Sequence, residues 1–170
     1  MKRTLLLALL LVISGCTSTY TKMTLSQPST VLQRGKTVAI ATPDDGFYET
    51  KQYRGSGQST AQAARAAFAK FAAQTSVLPE CKVLACLKET SAVGSDYLVV
   101  PEILHWEDRN TEWSGIKDKL EIKLSVYDAK TGKELAATVL AGKSKWMTFG
   151  GDHPQDLLQE PIDAYVATLF

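Results

Sequence analysis

Apolar and polar side chains alternate with a period of two along residues 117–128, and this is the clearest pattern in the chain. Successive residues of a β-strand point to opposite faces, so the alternation predicts a strand with one buried and one solvated face. Such strands are typical of antiparallel sheets. Residues 128–133 then predict a hairpin turn with Gly132 at the position that favours a positive φ, and residues 134–144 predict the returning strand.

Residues 96–109 predict a longer strand in the same sheet. Its first half is apolar on both faces, as in a strand that is covered on both sides, and its second half alternates. Pro101 has no N–H to donate to a neighbouring strand, so we expect a bulge or an unpaired position there. Earlier in the chain, the short apolar run at residues 36–41 predicts a buried first strand, and residues 75–78 predict a second short strand.

Other segments predict helices. A stripe of apolar residues at spacings of three and four begins after Ser59, whose spacing to Gln62 is that of a capping box. Residues 82–90 predict a short second helix. Near the carboxyl terminus we expect a short helix to about Leu158 and a fresh helix with Pro161 in its first turn. The apolar stripes of the first and last helices consist of Ala61, Ala64, Phe68, Phe71 and Thr75, and of Ile162, Tyr165, Val166 and Leu169.

These elements together predict an α/β fold with the order β-α-β-α-β-β-β-α. We expect a single mixed sheet in which the first strands are parallel and the later strands form an antiparallel meander. The helices should pack mainly on one face of this sheet. Residues 36–170 are enough for a single domain with one core.

The amino terminus differs in character from the rest of the chain. Lys2 and Arg3 precede an apolar run at residues 5–13, which is too short to cross a membrane as a helix. This layout is typical of a secretory signal peptide, here residues 1–15. The sequence ISGC that ends at Cys16 resembles a bacterial lipobox, and the resemblance implies cleavage before Cys16 and a lipid on its thiol. An ordinary signal peptide, or a cytosolic protein with an apolar start, stays as the alternative.

Thr17 follows Cys16 at the position where related lipoproteins of the inner membrane carry aspartate. We therefore expect the lipid to hold the protein at the outer membrane, on the periplasmic side. Residues 16–35 comprise the lipidated cysteine and a Ser/Thr-rich segment without an apolar period, which predicts a flexible tether between lipid and domain.

Composition and charge narrow the classes of function. With 45% hydrophobic and 22% charged residues, the chain is typical of a globular protein and not of a disordered one. Without residues 1–15 it has 17 basic and 18 acidic side chains. Proteins that bind nucleic acid carry a basic excess on one face, so we predict no nucleic-acid partner.

Cys81 and Cys86 remain once Cys16 is lipidated, and in an oxidising periplasm such a close pair is most simply a disulfide. Residues five apart in a regular helix lie about 8 Å from each other, which exceeds the reach of a disulfide, so Cys81 should lie just before the helix that carries Cys86. Two cysteines without a nearby histidine make a poor metal site, and the spacing is not that of a Cys-x-x-Cys redox motif. We predict no metal and no other cofactor.

The segment DYLVVPEILHWEDRNTEWSG, residues 96–115, resembles an uncharacterised family of bacterial lipoproteins that is known as a domain of unknown function. The segments YRGSGQSTAQAARAAF and PIDAYV support the resemblance, which spans about residues 36–170. It implies no catalytic residues for this chain. The order of elements is also similar to the periplasmic domains of the curli-secretion lipoprotein, the peptidoglycan-synthase activator lipoproteins and the amino-terminal domain of TolB, which implies an assembly or interaction module.

Glu107, Asp108 and Glu112 are candidates for acid–base chemistry, with His105 close by. Neighbours on a strand point to opposite faces and Arg109 offers a charge partner, so we expect these groups to be solvated charges at the end of a strand. An envelope hydrolase that acts on glycan or peptide stays as the alternative function, and it would need these four groups in one concave cluster.

Two further features carry weaker signals. The glycine-rich segment Gly55-Ser56-Gly57 lacks the other residues of a phosphate-binding loop, so we expect a plain loop. His153, in the sequence Asp-His-Pro, has no partner at a metal-ligand spacing and should begin a helix.

Arg109, Glu112 and Trp113 are the candidate contact residues for a partner. Tryptophan and arginine are common in binding hot spots, and Trp113 falls in a polar connection without an obvious apolar neighbour; packing on its own sheet is the alternative. The sequence therefore predicts an outer-membrane-anchored lipoprotein that acts as a binding or assembly module in the envelope and not as an enzyme. Its partners would be the membrane, through the lipid, and an envelope protein.

Overall fold

The computed structural model describes residues 17–28, 30–91, 94–109, 116–145 and 153–170. The strands in these residues are β1 (Thr19–Ser26), β2 (Thr37–Ala41), β3 (Phe47–Tyr48), β4 (Lys51–Gln52), β5 (Gln74–Leu78), β6 (Tyr97–Glu107), β7 (Lys119–Asp128) and β8 (Glu134–Lys143). The α-helices are α1 (Ser56–Phe68), α2 (Leu84–Ser91) and α3 (Gln159–Ala167), and a 3-10 helix (Pro154–Leu157) precedes α3.

One mixed sheet contains six of the strands in the order β1-β8-β7-β6-β2-β5. Strand β2 is parallel to both β5 and β6, whereas β6, β7, β8 and β1 pair antiparallel in succession. Strands β3 and β4 form a separate two-stranded hairpin. The predicted α/β fold, with parallel first strands and an antiparallel meander, is confirmed.

Strand β1 lies where the sequence predicted a tether, so that prediction is wrong for this segment. It runs antiparallel to β8, from the pair Thr19–Lys143 to the pair Ser26–Ala137. Most of its side chains are exposed, so the sequence has no alternation that could reveal a strand. Backbone hydrogen bonds to β8 hold this segment at the edge of the sheet, and Tyr20 is its partly buried contact with the core.

Helix α1, the 3-10 helix and α3 pack on one face of the sheet, which we name the first face. Phe68 of α1, Leu157 of the 3-10 helix and Ile162 of α3 are buried in the core beneath them. The alternation along β7 and the apolar stripe of the last helix are confirmed. Both sets lie in this core: Leu120, Ile122, Leu124 and Val126, and Ile162, Tyr165, Val166 and Leu169.

Helix α2 packs on the second face of the sheet, over β2 and β6. A smaller core lies beneath it, with Ala39, Leu98 and Leu87 fully or almost fully buried. The predicted disulfide is present: Cys81 precedes α2, Cys86 lies within it, and their Cα atoms are 5.3 Å apart. Among the described helices, α2 packs on this second face and the others pack on the first face. This agrees with the expectation that the helices cover mainly one face of the sheet.

Helix α1 begins at Ser56, so the prediction that Ser59 caps this helix is wrong. The cap comes from the connection after β2, where Asp45 Oδ1 accepts a hydrogen bond of 2.9 Å from the N–H of Gly57. The same carboxylate accepts the Ser56 hydroxyl at 3.4 Å, and that hydroxyl accepts the N–H of Gly46 at 2.8 Å. A cap residue eleven positions upstream of the helix leaves no local signature in the sequence.

Strand β6 contains a bulge between Ile103 and His105, and not at Pro101 as expected. Ile103 faces the first face opposite Ile122. Because the bulge inserts Leu104, the side chain of Trp106 also reaches the first face, where it is buried. His105 and Glu107 consequently point to the second face.

Candidate functional site

The end of β6 carries the most unusual group of the described residues, a buried glutamate. Glu107 is 1% exposed, and the pairing of β6 with β7 places it directly opposite Lys119. His105 lies two residues earlier on the same face of the sheet. Burial of a carboxylate is costly unless donors surround it, so its partners define the site.

Three side chains donate to Glu107. Arg109 Nε lies 2.6 Å from Oε1, Lys119 Nζ lies 3.1 Å from Oε2, and His105 Nε2 lies 3.0 Å from Oε2. The donors come from two strands and from the second residue after β6, so the carboxylate ties this corner of the sheet together.

The protonation of Glu107 follows from these contacts. Burial by itself would raise its pKa, but the hydrogen bonds from Arg109, His105 and Lys119 and the charge of Lys119 outweigh this effect and lower the pKa to about 2. Glu107 is therefore a fixed negative charge at neutral pH. The hydrogen bond with Glu107 in turn raises the pKa of Arg109.

Tyr48 completes the site from the short hairpin of β3 and β4. Its hydroxyl accepts a hydrogen bond of 2.7 Å from Arg109 Nη2, and the guanidinium lies 4.7 Å from the centre of the ring. The ring also meets His105 edge-on at 5.5 Å between centroids. We name Tyr48, His105, Glu107, Arg109 and Lys119 the Glu107 cluster.

Asp108 belongs to a different environment. Its main-chain carbonyl accepts a hydrogen bond of 3.2 Å from the Tyr53 hydroxyl, and its carboxylate lies 3.3 Å from His153 Nδ1. The hydrogen bond with Asp108 raises the pKa of His153. His153 also precedes the 3-10 helix, as predicted for a helix-start residue.

Asp118 is a second buried carboxyl near this corner. Its Oδ1 accepts a hydrogen bond of 2.6 Å from the N–H of Arg109, and its own N–H donates to the Ser144 hydroxyl at 2.9 Å. Burial raises the pKa of Asp118, although the hydrogen bond from Arg109 opposes this shift. Its other carboxylate oxygen has no hydrogen-bond partner in the part of the chain that the structure describes.

An open groove of about 450 Å³ lies beside Asp108, with Tyr53, Trp106 and the start of α1 in its walls. The glycine-rich segment forms part of this wall. Two of its N–H groups already have acceptors within the protein, because Gly57 donates to Asp45 and Ser56 donates to the Tyr53 carbonyl at 3.1 Å. Ser56 and Gly57 belong to the first turn of α1, so the prediction of a plain loop is wrong for these two residues.

The structure thus divides the residues that the sequence grouped together. Glu107, His105 and Arg109 meet in one cluster, whereas Asp108 lies on the other side with His153. Glu112 and Trp113 lie outside the described residues, as does the lipidation candidate Cys16. Three members of this corner were not predicted from the sequence: Tyr48, Lys119 and Asp118.

The missed residues differ in how they could have been found. Lys119 opposes Glu107 across the antiparallel pair of β6 and β7, so a correct register would have identified it. Tyr48 lies in a strand of two residues, which is too short to show a period. Asp118 precedes β7, and its burial follows only from the packing of the loops around it.

None of the helices in the described residues is long and apolar enough to span a membrane. Histidine, cysteine, aspartate and glutamate side chains in those residues form no group of three or more that could hold a metal ion.

A family model described as "Domain of unknown function (DUF4823)" matches residues 30–169. No curated protein matches the chain.

Several solved structures share the fold. The subunit of the PelC dodecamer from Paraburkholderia phytofirmans has a TM-score of 0.68 at 16% identity, over 89% of this chain and 98% of that one. Protein XCC0632 of the DUF330 family, from Xanthomonas campestris, has a TM-score of 0.53 at 12% identity, over 84% and 87%. Lipoprotein GNA1162 from Neisseria meningitidis, at 14% identity over 78% and 96%, has a TM-score of 0.42, which is too low to show a shared fold. At such identities the likeness shows the fold alone.

Proposed function

The chain belongs to the DUF4823 family, and on this premise we propose that it is a lipoprotein of the cell envelope that acts by binding a protein partner. In this proposal the lipid on Cys16 anchors it in the outer membrane, and the α/β domain faces the periplasm as part of an assembly.

The observation that carries the proposal is the way the Glu107 cluster holds Arg109 against Tyr48. Glu107 fixes the guanidinium at Nε, and the Tyr48 hydroxyl and ring fix its other side. About a third of the Arg109 side chain stays exposed. Arginine and tyrosine dominate binding hot spots, and a side chain that is held in place before binding loses less entropy on complex formation.

The protonation of Glu107 supports binding over catalysis. A general acid or base works best when its pKa lies near the operating pH. Glu107, with a pKa of about 2 and three donors, neither gives nor takes a proton readily at neutral pH. The envelope hydrolase considered above would also need Asp108 beside Glu107, and Asp108 lies with His153 instead.

The edge strand supports assembly. Met23 and Leu25 of β1 are 57% and 49% exposed, and β1 ends the order of the described sheet. An edge strand with exposed apolar side chains is a common contact surface between chains. The structurally similar PelC subunit is described as a dodecamer, which supports a test of self-association in this chain as well.

The test is crosslinking of the lipidated protein in intact cells with variants of the Arg109–Tyr48 pair. Arg109→Lys keeps a positive charge beside Glu107 but loses the planar contact with the ring. We expect it and Tyr48→Ala to remove a crosslinked partner. Phe47→Ala is the matched control, because Phe47 is the exposed aromatic neighbour of Tyr48 in the same strand.

Two outcomes would contradict the proposal. Unchanged crosslinks in Arg109→Lys and Tyr48→Ala, at unchanged melting temperatures, would exclude this surface as the contact. Release of soluble fragments from purified peptidoglycan by the wild type, and not by Glu107→Gln with an intact fold, would favour the hydrolase.

A further inference from the structure

One end of the sheet lies directly beside the candidate lipid anchor. Strand pairing aligns Thr19 of β1 with Lys143 of β8, Lys143 with Lys119 of β7, and Lys119 with Glu107 of β6. These four residues therefore mark a single end of the sheet. Thr19 is only three residues from Cys16 along the chain.

This short connection limits how far the domain can stand from a membrane. Three extended residues span about 10 Å, whereas a tether of residues 16–35 would have allowed several times that distance. The inference rests on the proposed function in one respect, namely that Cys16 carries a lipid. Given that lipid, the end of the sheet marked by Thr19 lies within about 10 Å of the lipid headgroups.

Lysines outnumber the partly exposed carboxylates at this end. Lys143 and Lys145 are exposed, and Lys117 and Lys119 are half-buried. Among the acidic groups, Glu107 and Asp118 are buried, and Asp108 is half-buried beside His153.

The opposite end of the sheet has exposed charges of both signs. Lys130, Lys133 and Glu134 are exposed there, and Asp128 is half-buried. The excess of lysines over partly exposed carboxylates is therefore larger at the end that carries the anchor.

We propose that this end, which comprises Thr19, Lys117, Lys119, Lys143 and Lys145, rests on anionic phospholipid headgroups of the leaflet that holds the lipid. Lysines near a membrane surface are attracted to anionic lipids, and the attraction acts over a Debye length of about 8–10 Å. The short connection from Cys16 keeps the lysines within that distance. Lipid and lysines together then orient the domain, with its strands rising from the membrane.

The proposed orientation places the two ends of the sheet at different distances from the membrane. Ten residues of antiparallel strand rise about 34 Å, so the hairpin turn after β7 lies roughly that far from the headgroups. Lys130 lies in this turn. Lys145 follows the end of β8 at the membrane-facing end, so the two positions sample opposite ends of the sheet.

The experiment uses the full lipidated protein in vesicles of phosphatidylethanolamine with phosphatidylglycerol. A fluorophore is attached through Lys145→Cys or Lys130→Cys, and quenching by a headgroup-labelled lipid is measured. We expect quenching at position 145 to exceed that at position 130 several-fold. Vesicles of phosphatidylethanolamine with phosphatidylcholine, which carry no net charge, should reduce the difference.

Charge-reversal variants test the lysines themselves. Lys117→Glu combined with Lys143→Glu should reduce quenching at position 145. Lys130→Glu combined with Lys133→Glu makes the same change of charge at the far end and should leave quenching at position 145 unaltered. The melting temperature of each variant shows that the fold is retained.

The outcomes separate this inference from the proposed function. Equal quenching at both positions, in protein that stays with the vesicles, would overturn the orientation and leave the lipid anchor intact. An unchanged difference in the variant that combines Lys117→Glu with Lys143→Glu would overturn the role of the lysines. Protein that fails to associate with vesicles would contradict the lipid anchor itself.

Discussion

Gly57 lies so close to the main-chain carbonyl of Pro43 that a Cβ atom on Gly57 would overlap the oxygen. This contact joins the first turn of α1 to the connection after β2. It explains the second glycine of the segment YRGSGQS, because only glycine allows a helix to approach another backbone this closely.

Gly57→Ala should therefore destabilise the fold. Either the connection after β2 or the start of α1 has to shift, and overpacking of this kind costs about 1–3 kcal/mol. Urea denaturation gives the free energy of unfolding. Gln58→Ala, at the next and exposed position of the same helix, should change stability by less than about 0.5 kcal/mol. Equal stability of Gly57→Ala and the wild type would show that the contact is not tight.

Glu107 should make the stability of the domain depend on pH in the acid range. Its pKa is about 2 in the folded protein against an ordinary value of 4.5, so the unfolded chain binds the proton first as the pH falls. The stabilisation is complete above about pH 4.5 and is lost as the pH falls toward 2, and it amounts to about 3 kcal/mol. Glu107→Gln should be less stable than the wild type at pH 7, and its stability should lack this part of the pH dependence. Parallel curves for the two proteins between pH 5 and about 2 would contradict this account.

Removal of the disulfide should weaken the domain without unfolding it. The bridge closes a loop of only a few residues, for which the chain-entropy model gives about 2 kcal/mol. Cys81→Ala combined with Cys86→Ala should lower the free energy of unfolding by roughly this amount and leave the circular dichroism spectrum unchanged. Labelling of both thiols in unreduced protein from the periplasm would show that the bridge does not form there.

Cys16→Ala should release the protein from the membrane fraction. The change removes the thiol that the lipobox resemblance assigns to the lipid, and a chain without that lipid has no other anchor in the proposal. Fractionation of cells, with mobility on gels as a second readout, measures the effect. Ser14→Ala, a small-for-small change in the same motif, is the matched control and should stay in the membrane fraction. A Cys16→Ala protein that pellets with the outer membrane at wild-type mobility would exclude a lipid on this residue.

Trp113→Ala distinguishes a partner contact from packing within the domain. If Trp113 binds a partner, the melting temperature should change by no more than about a degree or two, since exposed positions rarely alter stability by more than about 0.5 kcal/mol, and a crosslinked partner should be lost. Truncation of a buried tryptophan would instead cost roughly 3 kcal/mol or more. A strongly lowered melting temperature with unchanged crosslinks would exclude the contact.

The sequence predicted those parts of the fold in which burial has a period. Strand β7 was predicted because its buried and half-buried positions alternate along Leu120, Ile122 and Leu124. Strand β1 was missed because Met23 and its neighbours are exposed, so its pairing with β8 leaves no apolar pattern. The start of α1 was misplaced because its cap, Asp45, is distant in the sequence.

The candidate site was predictable only in part for the same reason. The pairing of Arg109 with Glu107 is local, and the sequence suggested it. The contacts of Arg109 with Tyr48 and of Glu107 with Lys119 connect separate elements, and only their packing brings them together. Local pattern therefore identified the centre of the cluster but not its boundary.

The bulge in β6 lets the strand tolerate a change of length at one position. Leu104 is the residue without a partner in β7, and it is half exposed. A regular ladder that included Leu104 would turn every later side chain of the strand to the opposite face, with the Glu107 carboxylate in the apolar core and the Trp106 ring outside it. Deletion of Leu104 instead leaves His105, Trp106 and Glu107 opposite their present partners, Glu121, Leu120 and Lys119. A single-codon deletion at this position therefore preserves both the core and the Glu107 cluster.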